Sequence, residues 1–167
     1  MNDEQKFTPG PDNREHFRAA MGRFATGVTI VTTQSDIGPL GMTANSFSSI
    51  SMEPPLVMWA PGRGSRRHDA FVNAQSFCIH ILAEGQFALA KHFATQGEGF
   101  DAFDWTIGAD NVPLLAGCAA QIHCTQHSTI EAGDHTMILG NVTEASYRDV
   151  SGLIFHNGKF GQFHLDD

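Results

Sequence analysis

From Val28 onward the chain is cut into short runs of β-branched and aromatic residues separated by turn formers, and these runs never alternate regularly with helical segments. A doubly wound parallel sheet needs a helix between successive strands, so the pattern points to an antiparallel sheet. Val28 to Thr33 and Leu40 to Ala44 flank Asp36, Gly38 and Pro39 and read as a hairpin. Leu56 to Ala60, Phe77 to Leu82, Ala119 to Ser128, Met137 to Ala145 and Leu153 to His156 read as further strands. Asn157-Gly158 then predicts a type I′ turn into a last strand from Lys159 to His164. The expected class is mainly β, a closed antiparallel barrel with peripheral α-helices.

Three helices are expected around it. From Asn13, an acceptable N-cap, Phe17, Ala20, Met21 and Phe24 recur at helical spacing, predicting an amphipathic helix that ends near Gly27. Shorter helices are expected over Arg66 to Asn73 and Gln86 to Phe93. Residues 1 to 12, with Pro9, Gly10 and Pro11 among polar residues, read as a flexible or strapped-down arm, and residues 13 to 167 as one domain. A chain of 167 residues buries roughly 70% of its unfolded surface, enough for a core without staples.

Bulk chemistry narrows the partners. Ten Lys and Arg against 18 Asp and Glu give a formal net charge of -8, which argues against nucleic acid or an anionic membrane surface. Charged residues make up only 17% of the chain, which favours an oligomer sharing apolar surface. Cys78, Cys118 and Cys124 form no CxxC pair and suit a reducing cytoplasm, and no apolar run is long enough to span a bilayer. A soluble, unprocessed cytoplasmic protein is expected.

The one strongly basic stretch, Pro61-Gly62-Arg63-Gly64-Ser65-Arg66-Arg67-His68, sits between a strand and a short helix. Its glycines let backbone N–H groups approach an anion, Ser65 is placed to cap the helix, and the helix dipole would meet a phosphate there. A solvated turn with its arginines paired to acids is the plain alternative. In Gly41-Met42-Thr43-Ala44-Asn45-Ser46-Phe47-Ser48-Ser49, small and hydroxyl residues follow a strand, where a flat polar ring could lie against the backbone; a self-capping loop has the same composition. In Gly133-Asp134-His135-Thr136 a histidine stands beside an aspartate at a turn, able to serve as acid, charge partner or ligand donor.

Other chemistries find less support. His123 and His127 would stand roughly 13 Å apart on a strand, with Cys124 on the opposite face, so they cannot chelate one metal ion. No GxSxG elbow is present, and the cysteines lie in apolar strand contexts where thiols are inert. GxGxxG is missing too, so any nicotinamide nucleotide must bind without a dinucleotide-binding domain.

Read in order, the run Phe17 to Thr33, then Gly41 to Ser46 and Pro54-Pro55-Leu56-Val57, resembles the flavin reductase family that supplies two-component monooxygenases. Ser65-Arg66, Ile81 to Gln86, Pro113-Leu114-Leu115, Gly133 to Thr136 and Lys159-Phe160-Gly161 continue the resemblance to about residue 163. It implies an FMN-binding split barrel, a homodimer with flavin near the interface, and reduction of FMN or FAD by NADH or NADPH. The product would pass to a separate monooxygenase component. The resemblance places Thr43, Ala44, Asn45 and Ser46, and the backbone around His80, Ile81, Leu82 and Ala83, at the isoalloxazine edge. Ser65 and Arg66 would hold the phosphate, His135 would stand near the nicotinamide, and Phe160 would wall the same pocket. Arg67 replaces a common threonine, His80 a common asparagine, and Gly97 to Asp101 lacks the lysine frequent in relatives; Arg63 and Arg67 would suit a 2′-phosphate. A flavin- or haem-binding split barrel without turnover is the chief rival, and a pyridoxamine-phosphate oxidase relative the weaker one.

Overall fold

The structure, a computed structural model, describes residues 4–164. A single 3₁₀ turn at Pro11–Asn13 is tied by the Asn13 side chain, which accepts the Gly10 N–H at 2.8 Å and donates to Thr8 O at 2.7 Å. Helix α1 (Arg14–Met21) follows. It ends at Met21 and not near Gly27: after the last helical bond, from the Gly22 N–H to Arg18 O at 2.9 Å, the Arg23 and Phe24 N–H groups reach back only three residues, to Ala20 O at 3.2 Å and Met21 O at 3.1 Å, and the chain leaves the helix. The apolar stripe is present, but Phe17, Met21 and Phe24 remain 45%, 58% and 78% exposed.

The strands are β1 (Thr26–Gly27), β2 (Thr29–Ser35), β3 (Gly38–Ala44), β4 (Ser48–Met52), β5 (Pro55–Trp59) and β6 (Ser76–Ile81) in the first half. Helices α2 (His68–Val72) and α3 (Phe87–Thr95) flank β6. Then come β7 (Trp105–Ile107), β8 (Pro113–Leu115), β9 (Ala120–Ala132), β10 (His135–Tyr147), β11 (Ile154–His156) and β12 (Lys159–Gly161). One antiparallel sheet runs β3-β2-β6-β9-β10-β5-β4, with β3 and β4 as its two edges, so the barrel is split and not closed. Strands β1, β11 and β12 form a second sheet, joined to the first where the Val28 N–H donates to Leu153 O at 3.1 Å. Asn157 (φ 50) and Gly158 (φ 77) both take positive φ, as a type I′ hairpin between β11 and β12 requires.

Period-two alternation divides the core into two clusters. On β2, Ile30 enters a cluster under α3 with Leu82, Leu89, Phe93, Phe100 and Leu115. Its neighbour Val31 enters the other, with Trp59, Phe71, Phe77, Ile79 and Ile138. Strand β2 is therefore buried on both faces, and both core clusters share the strand that leads into the 41–46 segment.

Gly140 on β10 lies where two core side chains, Phe77 and Cys124, converge. A Cβ there would stand 2.6 Å from Phe77 Cζ and 2.9 Å from Cys124 Cβ, closer than van der Waals contact allows. Gly140→Ala is expected to destabilise the fold by about 2 kcal/mol, the usual scale of overpacking. Urea unfolding checks it; a loss under about 0.5 kcal/mol would mean this corner of the core is looser than described.

Candidate functional site

The tight turn before β10, with Gly133 at φ 63, delivers His135 as that strand's first residue. Directly opposite, the basic loop leaves β5 and pairs with the turn: Gly62 bridges His135, the Arg63 N–H donates to Asp134 O at 2.8 Å, and the Thr136 N–H donates to Pro61 O at 3.1 Å. His68 adds a side-chain tie, with Nε2 2.8 Å from Thr136 Oγ1 and Nδ1 2.8 Å from Asp69 Oδ1. On the loop's other flank, Ser46 Oγ accepts the Ala60 N–H at 2.9 Å and donates to Ala60 O at 3.2 Å. The fold thus brings together three segments far apart in sequence: Thr43 to Ser46, Gly62 to Arg67, and Asp134-His135.

Donors remain available in this cluster. The main-chain N–H groups of Asn45, Ser46, Phe47, Gly64 and Arg66 donate to no other described residue, and the Asn45 and Arg66 side chains are exposed. Such donors with a guanidinium suit an acceptor-rich ring edge and a phosphate. Other expected contacts face the protein. The Thr43 hydroxyl donates to Ala90 O at 2.7 Å, and Ala44 O accepts the Thr29 hydroxyl at 2.8 Å. Ser65 does not cap α2: its Oγ accepts the Arg67 N–H at 3.2 Å, inside the loop, and α2 is a five-residue helix with too few peptide dipoles to hold an anion by itself.

The Asp134–His135 pair has a defined polarity. His135 Nδ1 lies 2.8 Å from Asp134 Oδ1, and this hydrogen bond is the main reason the Asp134 carboxyl falls below its ordinary range. An ionised Asp134 only accepts, so Nδ1 carries the proton and Nε2 is turned away from it. A Cβ at Gly62 would stand 3.5 Å from Nε2, so glycine leaves that side of the ring open.

The backbone around His80 is expected at the ring edge, and the structure shows where the side chain goes: into the core. Its ring is wholly buried, with Nδ1 donating to Ile30 O at 3.1 Å and Nε2 accepting the Leu115 N–H at 3.1 Å. It is a core clamp whose side chain cannot meet a ligand. Ile81 to Ala83 lie at the same end of the sheet as Ala44, through the shared partner Thr29, but their polar groups are already paired. Ile81 O accepts the Ala119 N–H, Leu82 bonds Val28 and Leu153, and the Ala83 N–H donates to Gln86 Oε1. This stretch can offer a ring only apolar contact.

Burial lowers the His80 pKa from 6.5 to about 4. Between those values the unfolded chain binds a proton that the folded chain refuses, so stability is full above pH 6.5 and falls as pH drops toward about 4. The expected loss is about 3 kcal/mol. His80→Asn should remove this part of the dependence; urea midpoints at neutral and acidic pH for both proteins decide it, and equal slopes would exclude His80 as the cause.

Phe160 stands on β12, its ring 5.0 Å from that of Phe87 and 5.2 Å from that of Phe155. It belongs to the second sheet and its aromatic neighbours are apolar, so within one chain it borders α3 and not the loop cluster. Burial raises all three thiols, Cys118 to about 11, Cys124 to about 12 and Cys78 further, which leaves them unreactive. His123 bonds Thr143 and Ala109, and among the described residues no group of three potential ligands could hold a metal. No described helix is long and apolar enough to cross a membrane.

Arg67, read from sequence as a further cation for a ligand, is instead half-buried, with Nη1 2.9 Å from Gly41 O, 2.8 Å from Phe93 O and 2.9 Å from Gln96 O. Arg63 meets Glu131 at 3.2 Å in an exposed pair. Spacing in sequence gives no hint of either partnership.

The chain combines an open split barrel with a cluster of free main-chain donors and an Asp–His pair, and residues 21–164 match the family model described as the flavin reductase like domain. This chain belongs to the flavin reductase family. It is 45% identical to the FMN reductase (NADH) SmoA of Agrobacterium fabrum, over 98% of this chain and 94% of that one. It is 38% identical to the NADH-dependent FAD reductase of Streptomyces globisporus, over 93% of this chain and 89% of the relative. Among solved structures, the Streptomyces globisporus C-1027 NADH:FAD oxidoreductase SgcE6 superposes with a TM-score of 0.88 at 38% identity, over 99% of this chain and 96% of that one. A second structure of that protein, in complex with NAD and FAD fragments, gives 0.87 at 37% identity, covering 96% and 99%.

Proposed function

We propose that the chain is an NADH-dependent flavin reductase that reduces FMN or FAD and releases the product to a separate monooxygenase component. The observation that carries this reading is the convergence of the 43–46 segment, the 62–67 loop and His135 around unpaired main-chain donors, with no protein nucleophile or metal group beside them. The bound nucleotides would supply the redox chemistry, the dihydronicotinamide as hydride donor and the flavin as acceptor. The protein's part is alignment. The Asn45 to Phe47 N–H groups would take the acceptors of the ring edge, and Arg66 with the Gly64 and Arg66 N–H groups the phosphate. His135, oriented by Asp134, would present Nε2 to the nicotinamide carboxamide. Arg67 is committed to main-chain carbonyls, which removes one of the two cations that a 2′-phosphate would use and favours NADH; the names of the two relatives agree.

A homodimer accompanies this reading. Phe17 and Met21 on α1, with Phe24 just beyond it, are apolar side chains left exposed among the described residues, and a second copy is the simplest cover. Sedimentation should give twice the 18.1 kDa chain mass, and a monomer at micromolar concentration would contradict it.

Aerobic turnover tests the function itself. Nicotinamide oxidation should scale with protein and require added FMN or FAD, with NADH outpacing NADPH. No oxidation with either nucleotide would instead favour a split-barrel protein that binds its cofactor without turnover.

A further inference from the structure

We propose that Arg67 is a positioning residue for flavin binding, its guanidinium locking the 62–67 loop and the 41–46 segment onto the end of α3. The proposal rests on the flavin-site reading above and extends it to a residue that touches no ligand.

The geometry joins three segments at one point. Besides its three Nη1 contacts, Arg67 Nη2 lies 3.4 Å from Ala94 O. Phe93, Ala94 and Gln96 supply carbonyls at the C-terminal end of α3, where the last carbonyls of a helix lack intrahelical partners and a cation complements the dipole. Gly41, the fourth acceptor, lies two residues before Thr43. Thr43 in turn reaches the same helix through Ala90 O. Helix α3 is therefore one platform to which the ring segment is fixed at Thr43, through Ala90 in its middle, and the 62–67 loop at Arg67, through its end.

The consequence is a division between neighbours. The Arg67 N–H donates to Ser65 Oγ while its side chain turns inward, so Arg66 between them is carried outward and exposed. Gly97 closes the arrangement: its N–H-bearing backbone packs on the Arg67 stem, a Cβ there would stand 2.5 Å from Arg67 Cδ, and Gly97 O accepts the Gly41 N–H at 2.8 Å. Removing the guanidinium frees the loop relative to the ring segment without touching either ligand contact. The spacing between the ring donors and the phosphate cation then ceases to be preset, and that order must be acquired on binding.

Steady-state kinetics and FMN fluorescence titration on Arg67→Ala, Arg67→Lys, Gly97→Ala and Arg66→Ala test the proposal. Arg67→Ala should raise the FMN KM and Kd about tenfold, the scale of one charged hydrogen bond, with kcat within about twofold of wild type. Guanidinium ion at millimolar concentration should restore affinity to Arg67→Ala but not to Arg66→Ala. Gly97→Ala, which displaces the Arg67 stem from outside the site, should weaken FMN in the same way; if Arg67→Ala does not fold, Arg67→Lys and Gly97→Ala decide. A lower Tm with wild-type FMN KM in these variants would show a purely structural cap and overturn the proposal. Arg66→Ala separates the two readings: weaker FMN in Arg66→Ala alone defeats only the role of Arg67, whereas FMN binding unchanged in every variant, or absent from wild type, defeats the flavin-site reading beneath it.

Discussion

Replacing His135 by alanine should lower kcat for flavin reduction about a hundredfold while leaving flavin Kd unchanged, since misplacing one of two reacting rings by about an ångström costs that much. The expectation follows from where the histidine stands. It is the first residue of β10, paired through Gly62 to the 62–67 loop, and half-exposed. Its Nδ1 is held by Asp134 at 2.8 Å, so the ring's orientation is set before any nicotinamide arrives. Asp134→Asn should act in the same direction but less, because the amide can still hold the ring in one of its two orientations. Rapid-mixing kinetics with saturating NADH separate the hydride step from binding. A His135→Ala protein with wild-type kcat would remove the histidine from the mechanism and leave the nicotinamide positioned by the main chain.

Phe93→Ala should cost about 4 kcal/mol, lowering Tm by about 10 °C. Phe93 is fully buried, with its ring 4.8 Å from Phe100 and 5.9 Å from Phe103, and the Gly41 backbone lies flat against it. A Cβ on Gly41 would stand only 2.5 Å from Phe93 Cδ1, so the strand approaches the helix as closely as glycine allows. The cavity left by alanine would open under the helix that receives both Thr43, at Ala90, and Arg67, at Phe93 itself. Flavin affinity should therefore fall together with stability. Thermal unfolding monitored by circular dichroism checks the magnitude, and a change below about 1 kcal/mol would mean that α3 is held to the sheet chiefly by other residues.

The parts of the fold readable from sequence were those with local physics behind them. Val28 to Thr33 and Leu40 to Ala44 are β-branched and apolar runs on either side of turn formers, and they pair as β2 and β3; Asn157-Gly158 carries its turn type in its own backbone preference. Strand β4 was missed because Ser48-Ser49-Ile50-Ser51-Met52 is a polar edge with no buried face, and only its pairing with β5 makes it a strand. The spacing predicts too long an α1 because apolar residues recur as far as Phe24, past Met21 where the helix closes, and all of Phe17, Met21 and Phe24 stay exposed. Strands β9 and β10 extend beyond their apolar stretches because each completes the other's hydrogen bonding where the side chains are exposed.

The candidate site was legible more as residue types than as a place. Ser65, Arg66 and His135 carry suggestive chemistry, but their adjacency depends on main-chain pairing between residues 61–63 and 134–136, which leaves no mark in side-chain identity. The same holds in reverse for His80 and Arg67. Each looks like a ligand residue from its type and position, and each is turned inward because its partners are backbone groups from distant segments: Ile30 and Leu115 for the one, Gly41 and the end of α3 for the other.

Anaerobic mixing of NADH, deuterated at the transferred position of the dihydronicotinamide, with excess FMN and a catalytic amount of protein tests the central claim most directly. One FMN should be bleached per NADH consumed, at a rate proportional to protein and slowed by deuterium on one face of the nicotinamide only. Bleaching that is independent of protein, or unchanged absorbance of both NADH and FMN, would contradict a site in which this chain aligns the two rings for hydride transfer.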